Sequence, residues 1–328
     1  MKFRQLPVLF SLAAASLFSA TAQAQTFPSK PLTIVVPAPA GGALDFLART
    51  FAKEMSASMG QQVIVDNSPG AGGTLGINKA MKAPADGYTM TMTSPIENIF
   101  APLNYKSAQY KAEDSRAVMN IGRTSVMLVA RKDLPASNLT ELVALMKARG
   151  DKPLSFCSPG NGSLYHLIGE KLNSTAGVKS IHVPYSGFVQ CMTDLLGNST
   201  IDFAFLPLAG PFPGAVDGGG IKALAMLSSA PSSRFPKVAV ASATKGFEDF
   251  VFSIWAGIHV NGQTPDVAVE VLNKHARATL AKPEVRTAIE QTGSTLSSPM
   301  TLKQEQDDYL KEIQIYTAIF KSVGLSPQ

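Results

Sequence analysis

Lys30–Asp45, KPLTIVVPAPAGGALD, constrains the fold more than any other stretch, because a buried strand runs straight into a helix start. Leu32, Ile34, Val35 and Val36 make a short apolar run of the kind that fills a sheet covered on both faces. Pro37 and Pro39 end it, since neither offers an N–H to a ladder. Gly41 and Gly42 let the backbone turn tightly and approach a ligand with no Cβ in the way. Leu44, Leu47, Ala48 and Phe51 then share one helical face. The helix opens with unpaired N–H groups aimed over the carboxyl end of the strand, where open α/β folds bind ligands. On its own the stretch names an anion; a phosphate and a carboxylate suit it equally.

The first residues read as an export signal. Lys2 and Arg4 form a basic start, Leu6–Phe18 a mostly apolar core, and Ala22-Gln23-Ala24 a small-x-small cleavage pattern. The apolar run is shorter than the roughly 20 residues a membrane span needs. Residues 1–24 are therefore expected to be removed after Ala24, leaving an exported protein. Loss of Lys2 and Arg4 lowers the net charge from +5 to +3. No basic run of five and no aromatic–basic alternation appears, so a nucleic-acid partner is not expected.

With 45% hydrophobic and 16% charged residues the chain can bury a core, and about 300 residues exceed what one core usually serves. The pattern reads as two α/β lobes, each a mostly parallel sheet flanked by helices, with two crossover segments. Lobe 1 is expected to hold residues 25–122 plus 247–328 and lobe 2 residues 123–246. Strands and helices alternate over Thr33–Thr93. A long β-rich run, Val118–Ala130, holds Gly122 as a candidate first crossing, and the return falls near Ala243–Phe252. Tyr309, Ile313, Tyr316 and Phe320 form the apolar stripe of a final helix.

In lobe 2, Ser158-Pro159-Gly160-Asn161-Gly162-Ser163 repeats the strand–glycine–helix arrangement. Ser163 is an N-cap, a ligand donor, or both. His166, one turn into that helix, suits a neutral structural imidazole better than a cationic clamp, because a helix N-terminus disfavours positive charge. Tyr185 and Gly187 follow another strand before another helix; a core tyrosine and a turn glycine remain the alternative. Cys157 and Cys191 sit on neighbouring elements, and an oxidising compartment permits a disulfide, with two buried free thiols as the other reading. Catalytic patterns are missing. There is no G-x-S-x-G elbow, no H-E-x-x-H helix, no Walker A lysine, and Leu75 stands where a dinucleotide loop needs its third glycine. His166, His182, His259 and His275 show no metal spacing. Neither a metal nor a cofactor is expected.

Taken in order, the motifs VPAPAGGALD (Val36–Asp45), VIVDNSPGAGG (Val63–Gly73), APADGYT (Ala83–Thr89), SPGNGSLYHL, VPYSG, DLLGNSTID and WAG span the mature chain. They resemble those of the Bug family, the solute receptors of tripartite tricarboxylate transporters. Three departures stand out: Ala38 for the usual Phe, Ala43-Leu44 for Gly-Thr, and Ser68 for Arg. The resemblance implies a type II-like periplasmic binding protein fold, periplasmic location, no catalysis, and a monomer that hands a small carboxylate to membrane subunits of such a transporter. A secreted hydrolase or isomerase, or a signalling receptor, is the alternative. The ligand set expected from residues and resemblance together is Ala38, Ala40, Gly41, Gly42, Ala43, Asp45, Ser94, Ser158, Gly160, Asn161, Gly162, Ser163, His166, Tyr185, Gly187 and Asp202. Asp45 and Asp202 are carboxylates in an anion site and are expected to hold N–H groups rather than ligand. The small Ala38 beside the apolar Leu44 favours an aromatic or medium-chain acid, such as a benzene dicarboxylate, over citrate.

Overall fold

A computed structural model describes residues 27–185, 187–197, 200–209 and 211–322. The leader and its cleavage site lie outside the described residues. The strands form one mixed ten-stranded sheet with helices on its faces. In the first half β1 (Leu32–Val36) lies parallel between β2 (Val63–Asn67) and β3 (Thr89–Thr93). Helices α1 (Ala43–Met59) and α2 (Thr74–Lys82) make the connections. In the second half β5 (Ser155–Ser158) lies parallel between β6 (Ile181–Pro184) and β7 (Phe203–Pro207). There α5 (Leu164–Ala176) and α6 (Phe188–Leu196) connect the strands.

The two halves are joined by a strand rather than a loop. β4 (Ser115–Arg131) is 17 residues long and pairs antiparallel with β9 (Ser253–Asn261) up to Ser125, then with β7 and β8 (Ile221–Met226) from Val126 onward. The parallel sheets expected for two lobes are thus flanked by antiparallel crossing strands and merge into one. Gly122 does not break β4. A Cβ there would lie 2.7 Å from the carbonyl oxygen of Thr295, so glycine lets β10 (Thr295–Leu296) pass closely. The return passes beside the outward crossing: the Phe252 N–H donates to Leu227 (2.7 Å) and the Leu227 N–H to Val126 (2.8 Å).

Three buried clusters follow from this layout. One lies under α1, α8 (Asp266–Leu280) and α9 (Pro283–Gln291), built on Ile34, Phe51, Met90 and Leu272. A second backs β5 and β7 around Met127, Cys157 and Leu206. The third bridges the halves, joining Ile99 and Phe100 to Phe156, Leu164 and Phe203 through the expected stripe Tyr309, Ile313, Tyr316 and Phe320 of α10 (Leu302–Ser322). α10 also holds the crossing itself. Tyr316 donates to the carbonyl of Ser253 (2.9 Å), Arg123 pairs with Asp308 (2.7 Å) and Glu312, and Trp255 donates its indole N–H to Glu312. α4 (Leu139–Arg149), capped by Asn138, and α7 (Phe212–Asp217) complete the second half. No helix among the described residues is long and apolar enough to cross a membrane.

Candidate functional site

Because β4 and β9 run antiparallel to their neighbours, the carboxyl ends of β1–β3 and of β5–β7 all point toward the crossing. The loops leaving those ends face one another. In the first half, Pro39–Ala43 is exposed. Gly41 has φ +81 and requires glycine, whereas Gly42 is ordinary extended backbone at φ −81 and serves as the N-cap of α1 with no side-chain cap. The N–H of Gly41 donates to Asp45 Oδ2 (2.8 Å), which also accepts from Arg49 Nε (3.0 Å). The Arg49 guanidinium holds the Asp45 carboxyl below the ordinary range. Asp45 thus fixes the turn, while the first helical N–H groups, at Ala43 and Leu44, have no side chain capping them.

Ala38 and Leu44 each pack partly against the first-half core. Both stay partly exposed, so the wall beside the turn faces core and solvent alike. The carbonyl of Ala38 accepts from Asn67 (3.3 Å). Ser94, just past β3, gives its hydroxyl to Glu97 Oε2 (2.6 Å).

In the second half the glycine loop is internally bonded. The Gly160 N–H donates to Ser158 Oγ (3.2 Å), and Ser158 Oγ lies 2.7 Å from His182 Nε2. The Gly162 N–H donates to His166 Nδ1 (3.0 Å), and Ser163 Oγ caps α5 by accepting from the His166 N–H (3.3 Å). His166 stacks on His182 with ring centroids 3.7 Å apart. Burial lowers the His182 pKa to about 4. His166 is 7% exposed and braces the loop through its accepting Nδ1. Tyr185 joins the same group, its N–H donating to the Ser158 carbonyl (3.0 Å) and its hydroxyl to Asp194. Gly187 is extended backbone opening α6. Cys157 and Cys191 form a disulfide behind Ser158.

Asp202 requires a correction. Its carboxylate accepts from the Ser155 N–H (2.9 Å) and from Arg131 (3.0 Å), at the start of β5 and β7 and so at the far end from these loops. It ties strands together away from the cleft.

The halves touch where the loops meet. Asn104 Nδ2, from α3 (Ala101–Asn104), donates to the Asn161 carbonyl (3.1 Å), and a Cβ on Gly162 would fall 2.1 Å from Asn104 Oδ1. Sequence reading missed Asn104 and Glu97, which belong to no motif, and Tyr165, which lies within SPGNGSLYHL with no role assigned to it; Glu97 sits in a five-residue π-helical turn, Ile96–Phe100. The cations near the first-half loops are already engaged, Arg49 by Asp45 and Asn67, and Lys79 by Asp66. Among the described residues no cluster of His, Cys, Asp and Glu could hold a metal.

Two halves joined by crossing strands, with helix-opening loops facing across the junction, define a periplasmic binding-protein fold. Residues 47–321 match the tripartite tricarboxylate transporter family receptor, and the chain belongs to that family. It is 31% identical to the protein BugT of Bordetella pertussis, over 98% of each chain. The structure of the periplasmic binding protein BugD superposes with a TM-score of 0.75 at 29% identity, covering 92% of this chain and 100% of that one. The R. palustris protein Rpa4515, solved with adipate, gives a TM-score of 0.77 at 25% identity over 92% and 100% of the two chains. The family is a periplasmic solute-binding transport receptor, not an enzyme.

Proposed function

We propose that this receptor captures a small aliphatic dicarboxylate between its halves and delivers it to the membrane subunits of a tripartite tricarboxylate-type transporter. The observation that carries the reading is the exposed Pro39–Ala43 loop, which leaves the N-terminus of α1 without a capping side chain opposite the Gly160–Ser163 loop. One ligand carboxylate binds the N–H groups at Ala43 and Leu44, and the Asn161 N–H and ordered water meet the other end. Charge-assisted hydrogen bonds of this kind contribute roughly 1.5–3 kcal/mol each, so a few of them fit a micromolar receptor after the cost of association. The adipate complex of the R. palustris relative supports the chain length.

The moving bodies are residues 25–122 with 247–328 and residues 123–246, and a ligand touching both favours the closed arrangement by its greater affinity for it. The protein acts as a monomer, cleaved after Ala24. A thermal-shift screen of adipate, citrate, phthalate and amino acids, followed by calorimetry, tests the reading. A true ligand at 100 times its dissociation constant adds about 2.7 kcal/mol of stability. Gly41→Val forces a β-branched residue to positive φ in the loop and should lower affinity at least about tenfold in a folded protein. Absence of carboxylate binding, or wild-type affinity in folded Gly41→Val, removes the proposed site.

A further inference from the structure

We infer that the first half carries a second ligand site at its outer edge, a cavity between α8, α9 and the start of α10 that binds a small monocarboxylate on Arg277 and Arg286.

The cavity has a volume of about 120 Å³. That is room for several waters, and so for an acid of about four to six non-hydrogen atoms. It lies against β4 at Met119 and Asn120, beside the Ser297–Pro299 segment that follows β10. In the sheet β3 and β9 stand between β1 and β4, and no residue of the Pro39–Ala43 or Gly160–Ser163 loops lines the cavity. It is therefore separate from the cleft.

Arg277, in the last turn of α8, brings five N–H donors to this edge. Among the described residues only its Nε–H is hydrogen-bonded, to Asn273 Oδ1 (3.0 Å). Its Nη2 is buried with no hydrogen-bond partner, and Glu305 Oε1 stands 3.8 Å away, beyond hydrogen-bond reach. An unmatched buried donor of this kind calls for an acceptor that the chain itself does not supply. Arg286 of α9 is exposed, and its guanidinium has no ion pair or hydrogen bond among the described residues. Both arginines line the cavity.

Charge and shape together select the ligand. Glu305 is the only acid in the described lining, and its Oε2 is taken by the Asn120 N–H (3.0 Å). Two guanidinium groups against one carboxylate leave one positive charge, which suits a monoanion better than a dianion such as phosphate. Met119, Leu280, Ala281 and Pro299 form an apolar wall. An apolar cavity with a few converging polar groups is the form of a small-organic-ligand site. Phosphate would press oxygens against that wall with no donors to meet them. A carboxylate on Arg286 and the free N–H groups of Arg277 turns its short hydrocarbon end toward Met119 and Leu280 instead, and planar guanidinium groups match the carboxylate fork. The Ser298 hydroxyl, without a partner among the described residues, supplies a further donor.

NMR titration of the isotope-labelled mature protein with propionate, inorganic phosphate and propanol tests this, following the Arg277 and Arg286 Nε–H signals and the Ser298 amide. Propionate should shift all three saturably in the millimolar range, with equal affinity in wild type and in the cleft variant Gly41→Val. Phosphate and propanol should each bind at least about tenfold more weakly, one lacking the apolar end and the other the charge. Arg286→Ala, at an exposed position, should weaken propionate at least about tenfold, read from the Ser298 amide. No saturable shift at these signals overturns the inference, as does unchanged affinity in folded Arg286→Ala. Phosphate binding as tightly as propionate overturns the monocarboxylate site in favour of an unselective patch of positive charge. Loss of the shifts in Gly41→Val would trace them to the cleft and overturn it as well.

Discussion

The β1–α1 loop and the β5–α5 loop have the same strand–glycine–helix plan but use their polar groups differently. In the second half, Ser158 and His166 accept from the Gly160 and Gly162 N–H groups, His182 holds the Ser158 hydroxyl, Ser163 caps α5, and a disulfide lies behind them. In the first half, Asp45 fixes one turn and the helix start is left open. One jaw is a preformed wall and the other holds the free donors. The lesson is that a glycine loop before a helix becomes an anion site only where its own chain leaves the donors unmatched.

The largest effect that can break this contrast is on the braced jaw. Replacing Cys157 and Cys191 by serine opens a link between residues 34 apart and should cost about 3–4 kcal/mol of stability. Denaturant unfolding of oxidised and serine forms measures it. An unchanged midpoint would show that the wall does not depend on the bridge.

Acid should come next. The folded-state pKa of His182 lies near 4, below the unfolded value near 6.5, so the unfolded state binds the proton more readily. Stability from this group is complete above pH 6.5 and is lost as pH falls through 4. On the order of 2 kcal/mol should disappear over that window, and His182→Gln should remove that part of the acid sensitivity. Equal pH profiles for variant and wild type would show that the stacked histidines do not brace the loop.

The smallest effect sharpens the contrast most directly. Ser163→Ala removes the α5 cap and should cost about 1 kcal/mol while leaving carboxylate affinity within about threefold, because that hydroxyl serves its own helix. Gly42→Ala should change stability by less, since Gly42 is extended and its added Cβ meets only the Pro39 carbonyl oxygen at 3.3 Å. A large loss of binding in Ser163→Ala would move the hydroxyl from brace to ligand contact.

Short-range order was legible in the chain. Apolar runs ended by Pro and Gly marked β1 and β5, and 3.6-residue periodicity marked α1 and the α10 stripe. The Cys157–Cys191 pairing was one of two readings open from neighbouring elements. Residues 94–114 were not legible, because the π-helical turn, α3 and Glu97 carry no periodicity and no motif. Asp202 was misplaced for a related reason: sequence marks a residue's distance from a strand but not which end of the sheet its side chain serves.

What the sequence determined by itself was the order of the main strands and helices and the two helix-opening loops, because turn chemistry and hydrophobic period act over a few residues. Tertiary structure alone decided that β4 and β9 carry one sheet through both halves and that α10 seals the crossing. It also decided that one loop's donors are matched and the other's left open. Those outcomes depend on groups brought together from far apart in the chain, such as Asn104 with Asn161, Arg123 with Glu312, and Glu97 with Gly73. Burial then raised the Glu97 and Glu312 carboxyls above their ordinary range, and burial is a property of the packed molecule, not of any residue in it.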